Sequence, residues 1–266
     1  MARSAPDLTG RPTEVVQRLR LRYAKRGRVR FTSHRDVARA FERALRRAEV
    51  PMAYSSGFTA HPRVSWVGAA PTGVASEAEY LEIALAEARD PEQLRAALDA
   101  ALPPGLDVVA CVPAEGPSLA DRIDAAEWTI RLPGVDRARA AAAVDTVLAA
   151  PELPVDKTTK SGRKTVDVRA ALVQVRLLEA GGGGGLGPAA PVSDQGRTED
   201  CAILGLVVRQ TTPAVRPDDV MAAFTAAAGL EPPVPPEVTR LGQGRLAANG
   251  SILDPLDVQD GARPVG

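Results

Sequence analysis

Histidine and cysteine, the side chains that most often hold metals or shuttle protons, are nearly missing: two of each occur in 266 residues. Cys111 and Cys201 lie far apart, and no CxxC or CxxxCxxC pattern exists. The chain by itself is therefore not expected to hold an iron–sulfur cluster or a Cys-based zinc site. Each cysteine adjoins a strand-like apolar run, and in a reducing compartment each reads as a buried small hydrophobe. No cofactor or metal is expected. Aromatics are scarce at 3%, and lysine supplies only four of the 33 basic residues. No segment approaches the ~20 apolar residues that span a bilayer. Residues 1–17 lack the apolar stretch of a secretory signal, so no membrane is expected and the protein is read as cytoplasmic.

What remains is ordinary in kind but uneven in placement. Apolar residues at 45% and charged residues at 25% fit a globular protein, with room for two small domains. The net charge is zero, yet residues 18–63 carry thirteen Arg or Lys against three acids, a local excess of +10 that the segment 64–266 offsets. Such asymmetry suggests one surface made for a polyanion.

Residues 1–17 read as a disordered leader. "RLRLRYAKRGRVRF" (18–31) alternates Arg with apolar residues, the period of a strand or hairpin with a turn near Arg26-Gly27. Ser33 offers a helix cap with Asp36 as its partner, and a helix follows to about Glu49. Val37, Phe41, Ala44, Leu45 and Ala48 gather on one side of it, and Arg35, Arg39, Arg43, Arg46 and Arg47 on the other. A strand is expected around Val64–Val67, a half-buried strand over 77–87, a helix over 90–102 capped by Asp90, and a buried strand over 106–113. The order β-α-β-β-α-β is the ferredoxin-like pattern. Strand, helix, hairpin (153–169), two strands, helix and strand then repeat it less regularly over 125–245. The fold class expected is α+β: two tandem ferredoxin-like (βαββαβ) domains over 18–115 and 125–245, the second irregular. Its Gly-rich insert, 180–200, cannot build a core and reads as a flexible loop; 254–266 reads as a flexible tail.

Both histidines fall in the basic segment. His34 would open the Arg-lined helix, where the helix dipole favours a neutral imidazole. His61 precedes Pro62 and is held extended. The two are expected to face one solvent-facing hollow, as an acid–base pair or as polar contacts to a ligand. Arginine binds phosphates bidentately, so Arg22, Lys25, Arg30, Arg35, Arg39, Arg43, Arg46 and Arg63 form the candidate nucleic-acid-binding set. Tyr54 and Phe58 flank a loop glycine and are candidates for stacking on bases, whereas Phe31 and Trp66 read as core. Lys160, Arg163 and Lys164, with Lys157 close by, make a second basic spot at a hairpin tip.

The run Arg22-Tyr23-x-Lys25-x-Gly27-x-x-Arg30-Phe31-x-Ser33-His34-x-Asp36 and the loop Tyr54-Ser55-x-Gly57-Phe58-x-x-His61-Pro62-Arg63 carry a resemblance. They resemble the motifs of the radical-SAM-associated (radical SAM-linked) bacterial protein family, a domain of unknown function. Lys164-x-x-Asp167-Val168-Arg169 is similar to a further element of that family. Its members most often place Pro where this chain has Ala60. The resemblance implies an association with S-adenosylmethionine radical chemistry, with the cluster in a separate radical SAM polypeptide. The function expected is an RNA-binding accessory protein in radical-SAM-linked modification of structured RNA, tRNA or rRNA. The alternatives are a metal-independent endoribonuclease or other acid–base enzyme using His34 and His61, and a protein–protein adaptor for a radical SAM enzyme.

Overall fold

The structure, a computed structural model, describes residues 14–56, 60–159, 162–179 and 201–257. The expected insert over 180–200, most of the expected leader and tail, and the candidates Phe58 and Lys160 lie outside those residues. The described residues divide into two units, one running to Asp121 and including Leu256 and Asp257, the other Arg122–Pro255.

In the first unit the order is β1 (Gln17–Lys25), a 3-10 turn (Gly27–Phe31), α1 (His34–Arg47), β2 (Val64–Val67), β3 (Ala75–Leu85), α2 (Pro91–Ala101) and β4 (Leu106–Pro113). Its strands pair antiparallel in the order β4-β1-β3-β2. Alternation along β1 sends Leu19, Leu21 and Tyr23 to one face of the sheet, where they form a core with Val37, Phe41 and Leu45 of α1 and Leu94 and Leu98 of α2. Arg18, Arg20 and Arg22 take the opposite face.

Three local expectations change. Of the two readings of 18–31, the strand holds and the hairpin does not: the turn falls at Arg26-Gly27 as expected, but with Gly27 at a left-handed φ of 56° the chain enters a 3-10 turn instead of a second strand. With the period broken, Phe31 leaves the core and stands 61% exposed. In β3, Tyr80 and Leu81 point to opposite faces and both are buried, so that strand is covered on both sides rather than half-buried. In β4 the expected full burial gives way to an end strand of the sheet with Val109 exposed.

The second unit contains β5 (Ala125–Pro133), α3 (Arg137–Ala149), the hairpin β6 (Pro154–Thr159) and β7 (Gly162–Asp167), the short α4 (Val168–Ala171), β8 (Leu172–Leu178), β9 (Cys201–Arg209), α5 (Pro217–Ala228), β10 (Glu237–Leu246) and β11 (Ile252–Leu253). Antiparallel pairing gives the order β10-β5-β9-β8, with β11 added to β10 and the hairpin forming its own two-stranded sheet. Ile130, Leu132, Val147, Leu204 and Phe224 are buried in this unit. Gly244 lets β11 close on β10, since a Cβ there would lie 1.8 Å from the Leu253 carbonyl oxygen.

The described residues are thus of the α+β class, with antiparallel sheets and five α-helices among them. Among the described residues no helix is long and apolar enough to cross a membrane.

Candidate nucleic-acid interface

Helix α1 begins where the sequence places it. Ser33 Oγ accepts a hydrogen bond from the Asp36 N–H at 3.2 Å and donates one to Asp36 Oδ2 at 2.7 Å. The carboxylate so fixed also favours the positive end of the helix. His34 follows as the first helical residue, exposed, with its ring edge-on to Trp66 (centroids 5.2 Å apart, planes at 86°). Trp66 reaches inward from there, meeting Phe41 at 5.3 Å and Tyr23 at 6.0 Å, again edge to face. Trp66 was expected in the core, and it packs against the core while remaining partly exposed.

The arginines divide into two populations. On the outer face of α1, Arg35, Arg43 and Arg46 are exposed and have no carboxylate partner among the described residues. Arg39 approaches Asp36 only at 3.5 Å, with both side chains about half exposed, a contact of little energetic weight. Arg47 donates to the Ala101 carbonyl at 3.0 Å. Arg28 and Arg30, on the 3-10 turn, also lack a carboxylate partner among the described residues, and the Arg30 guanidinium lies 4.8 Å from the Phe31 ring centroid.

The cations of β1, and Arg26 just after it, behave differently. Arg20 is 3% exposed, donates to Glu82 Oε2 at 3.1 Å and to the Glu115 carbonyl at 2.7 Å, and also reaches the Pro117 carbonyl. Arg18 shares Glu82 at 3.3 Å. Arg22 donates to the Glu77 carbonyl at 2.8 Å. Lys25 is 3% exposed, its ammonium 3.3 Å from the Pro71 carbonyl. Arg26 is bonded to the Glu77 carboxylate and, at 2.8 Å, to Asp107, and its hydrogen bonds to Glu77 hold it charged beyond even the usual arginine range. Because α1 packs on the Leu19 side of the sheet, the strand's arginines and the helix's arginines face opposite ways. Of the first unit's sequence-derived cations, Arg22 and Lys25 are therefore engaged inside the unit, whereas the α1 row and Arg30 face solvent.

A groove runs between α1 and the segment that leads into β2. Tyr54 and Pro62 form a backbone bridge, and the Ser55 and His61 backbones are tied by Ser55 N–H to the His61 carbonyl at 2.9 Å and His61 N–H to Ser55 Oγ at 3.1 Å. The groove comprises two adjoining hollows of about 220 and 200 Å3, and Glu42, Leu45, His61 and Pro62 border both. His34 is not among the side chains lining either hollow; Trp66, which carries the His34 ring, lines one of them. Arg46 reaches the other. Tyr54 packs against the core, and Arg63 donates to its carbonyl at 3.3 Å. Among the described residues no group of three His, Cys, Asp or Glu side chains could hold a metal ion.

At the hairpin of the second unit, Arg163 is paired with Asp156 at 2.7 Å, and Asp156 is held below the usual carboxylate range by its hydrogen bonds from Thr165 and then Arg163. Lys157 is largely buried, donating to Asp219 and, at 2.7 Å, to the Ala214 carbonyl. Lys164 is exposed and has no carboxylate partner among the described residues.

Sequence reasoning missed Phe31 as a surface residue. The turn already read at Arg26-Gly27 held the signal: a positive φ at that glycine ends the alternation four residues before Phe31, so the alternation no longer assigns that ring to the core.

The match to a known protein family spans residues 18–217. The chain belongs to DUF2344, a family of uncharacterized proteins conserved in bacteria. The matched region of this DUF2344 chain begins in β1 and ends at the first residue of α5, so it takes in the turn, α1, the His61 segment and the hairpin. No curated protein matches the chain.

Proposed function

We propose that the protein is an RNA-binding accessory factor whose contact surface is the outer face of α1 together with the preceding 3-10 turn. The observation that carries this reading is the set Arg28, Arg30, Arg35, Arg43 and Arg46: five exposed or half-exposed guanidinium groups on adjoining elements without carboxylate partners among the described residues. The same unit ties Arg18, Arg20 and Arg26 to Glu82, Glu77 and Asp107. Cations left free in a unit that pairs Arg20 and Arg26 with carboxylates suit a ligand that brings its own negative charge, and a phosphate backbone presents such charge at regular spacing. The α1 arginines can each take a phosphate oxygen pair bidentately. Structured RNA, tRNA or rRNA, is the substrate class. The tandem ferredoxin-like reading is part of the proposal, supported by the sheet orders β4-β1-β3-β2 and β10-β5-β9-β8. A radical SAM enzyme acting in trans is the partner that the motif resemblance implies.

The test is equilibrium binding of the full chain to bulk tRNA over a salt series. The expected result is a linear fall of log K with log salt, whose slope shrinks by roughly 1.5–2 in the double variant Arg43→Ala/Arg46→Ala. Salt-independent or absent binding would overturn the reading.

A further inference from the structure

Phe31 is an anomaly for a chain with so few aromatics. It stands 61% exposed while Tyr23, Phe41 and Tyr80 are almost fully buried. The ring is not exposed because its segment is loose. Thr32 N–H donates to the Val29 carbonyl at 2.9 Å, Gly73 N–H to the Arg30 carbonyl at 2.7 Å, and Arg26 N–H to the Gly105 carbonyl at 2.8 Å. Val29 packs inward against the core, and Ser33 caps the helix that follows. The turn is pinned on both flanks, and it still holds an apolar ring out to solvent.

Its neighbours are cationic. Arg28 and Arg30 share the turn, the Arg30 guanidinium lying 4.8 Å from the ring centroid, and Arg35 lies four residues past Phe31 along the chain, in the first turn of α1. None has a carboxylate partner among the described residues. An aromatic face beside free guanidinium groups matches the two halves of a nucleotide: a π-face for the base and charge for its phosphates. A base can offer that face only when it is not already stacked inside a duplex. The pinned turn lowers the ordering cost of such a contact.

We infer that Phe31 is a stacking platform for an unpaired nucleobase, with Arg28, Arg30 and Arg35 holding the flanking phosphates. The inference rests on the RNA-binding reading above and narrows it: the element recognised is single-stranded, a loop or an end, rather than a helical stem.

The experiment compares wild type, Phe31→Ala, Phe31→Trp and Arg43→Ala/Arg46→Ala, all as full chains. Each is titrated with a labelled single-stranded oligoadenylate of about ten nucleotides and with a blunt RNA duplex. Phe31→Ala should weaken single-strand binding about 5- to 150-fold, the equivalent of about 1–3 kcal/mol for one stacked base. Its duplex affinity, salt slope and melting temperature should match wild type. Phe31→Trp should retain affinity, and its emission should be quenched on binding. If Phe31→Ala stays within about twofold of wild type while the double arginine variant loses binding, the platform is refuted and the RNA reading stands. Equal weakening for single strand and duplex refutes it too, since stacking is then not what was lost. A wild-type protein that binds neither RNA removes both, and would leave the exposed ring as an anchor for a protein partner.

Discussion

His34 meets Trp66 edge to face, the ring centroids 5.2 Å apart and the planes at 86°. The imidazole is thereby seated on an aromatic stack that continues through Trp66 to Phe41 and Tyr23 in the core. This couples the first residue of the Arg-lined helix to the wall of the groove that His61 borders. His34→Ala should cost about 0.5–1 kcal/mol in urea unfolding, the lower part of the range for an aromatic pair because the ring is exposed. A variant as stable as wild type would show that the pair has no energetic weight.

The two arginine populations should separate cleanly in mutagenesis. Arg20→Ala removes a buried guanidinium that bonds Glu82 and two carbonyls, leaving acceptors without their donor. A loss of about 2–4 kcal/mol is expected, with the RNA affinity of the remaining folded protein unchanged. Arg43→Ala should do the reverse, leaving denaturation within about 0.5 kcal/mol of wild type and weakening RNA. The arrangement described here fails if the two variants give the same profile.

Cys111 supplies a pH prediction. Burial against the first unit's core pushes its thiol up to about 12 from an ordinary value of 9.0. The folded state keeps the proton where the unfolded chain would release it, so this contribution is complete below pH 9 and is lost as pH rises from 9 toward 12. Between pH 8 and pH 10.5, wild type should lose about 1–2 kcal/mol more than Cys111→Ala does. Parallel pH profiles for the two proteins in urea titrations would contradict the assigned burial.

In the hairpin of the second unit, Lys157 and Lys164 stand opposite each other in register, yet they differ in role. Lys157 is paired with Asp219, and both are mostly buried. Asp219→Ala would strand a buried ammonium and should cost about 3–5 kcal/mol. Lys164→Ala should stay within about 0.5 kcal/mol of wild type. Thermal melts of the two variants decide the matter, and a mild Asp219→Ala phenotype would mean that Lys157 finds water instead.

Much of the architecture was legible from local periodicity. The α1 wheel, its Ser33 cap, the Asp90 and Pro91 start of α2, the strand near Val64–Val67 and the long hairpin all depend on residues within a few positions of one another. Sequence also located the basic segment and its two histidines. It placed the turn at Arg26-Gly27 but assigned Phe31 beyond it to the core, whereas the chain past the glycine at φ 56° forms a 3-10 turn that leaves Phe31 exposed.

Which cations remain free was decided only by the tertiary structure. Arg20 and Arg43 look alike in sequence, each spaced as part of a regular basic face. Glu82, which occupies Arg20, lies 62 positions away along the chain, and Asp107 lies 81 positions from Arg26. Neutralisation of a charge depends on distance in space, and no periodicity in the chain encodes which carboxylates a sheet will bring alongside. The outer face of α1 was written in the spacing of its own side chains; its standing as unpaired charge followed from what the fold placed elsewhere.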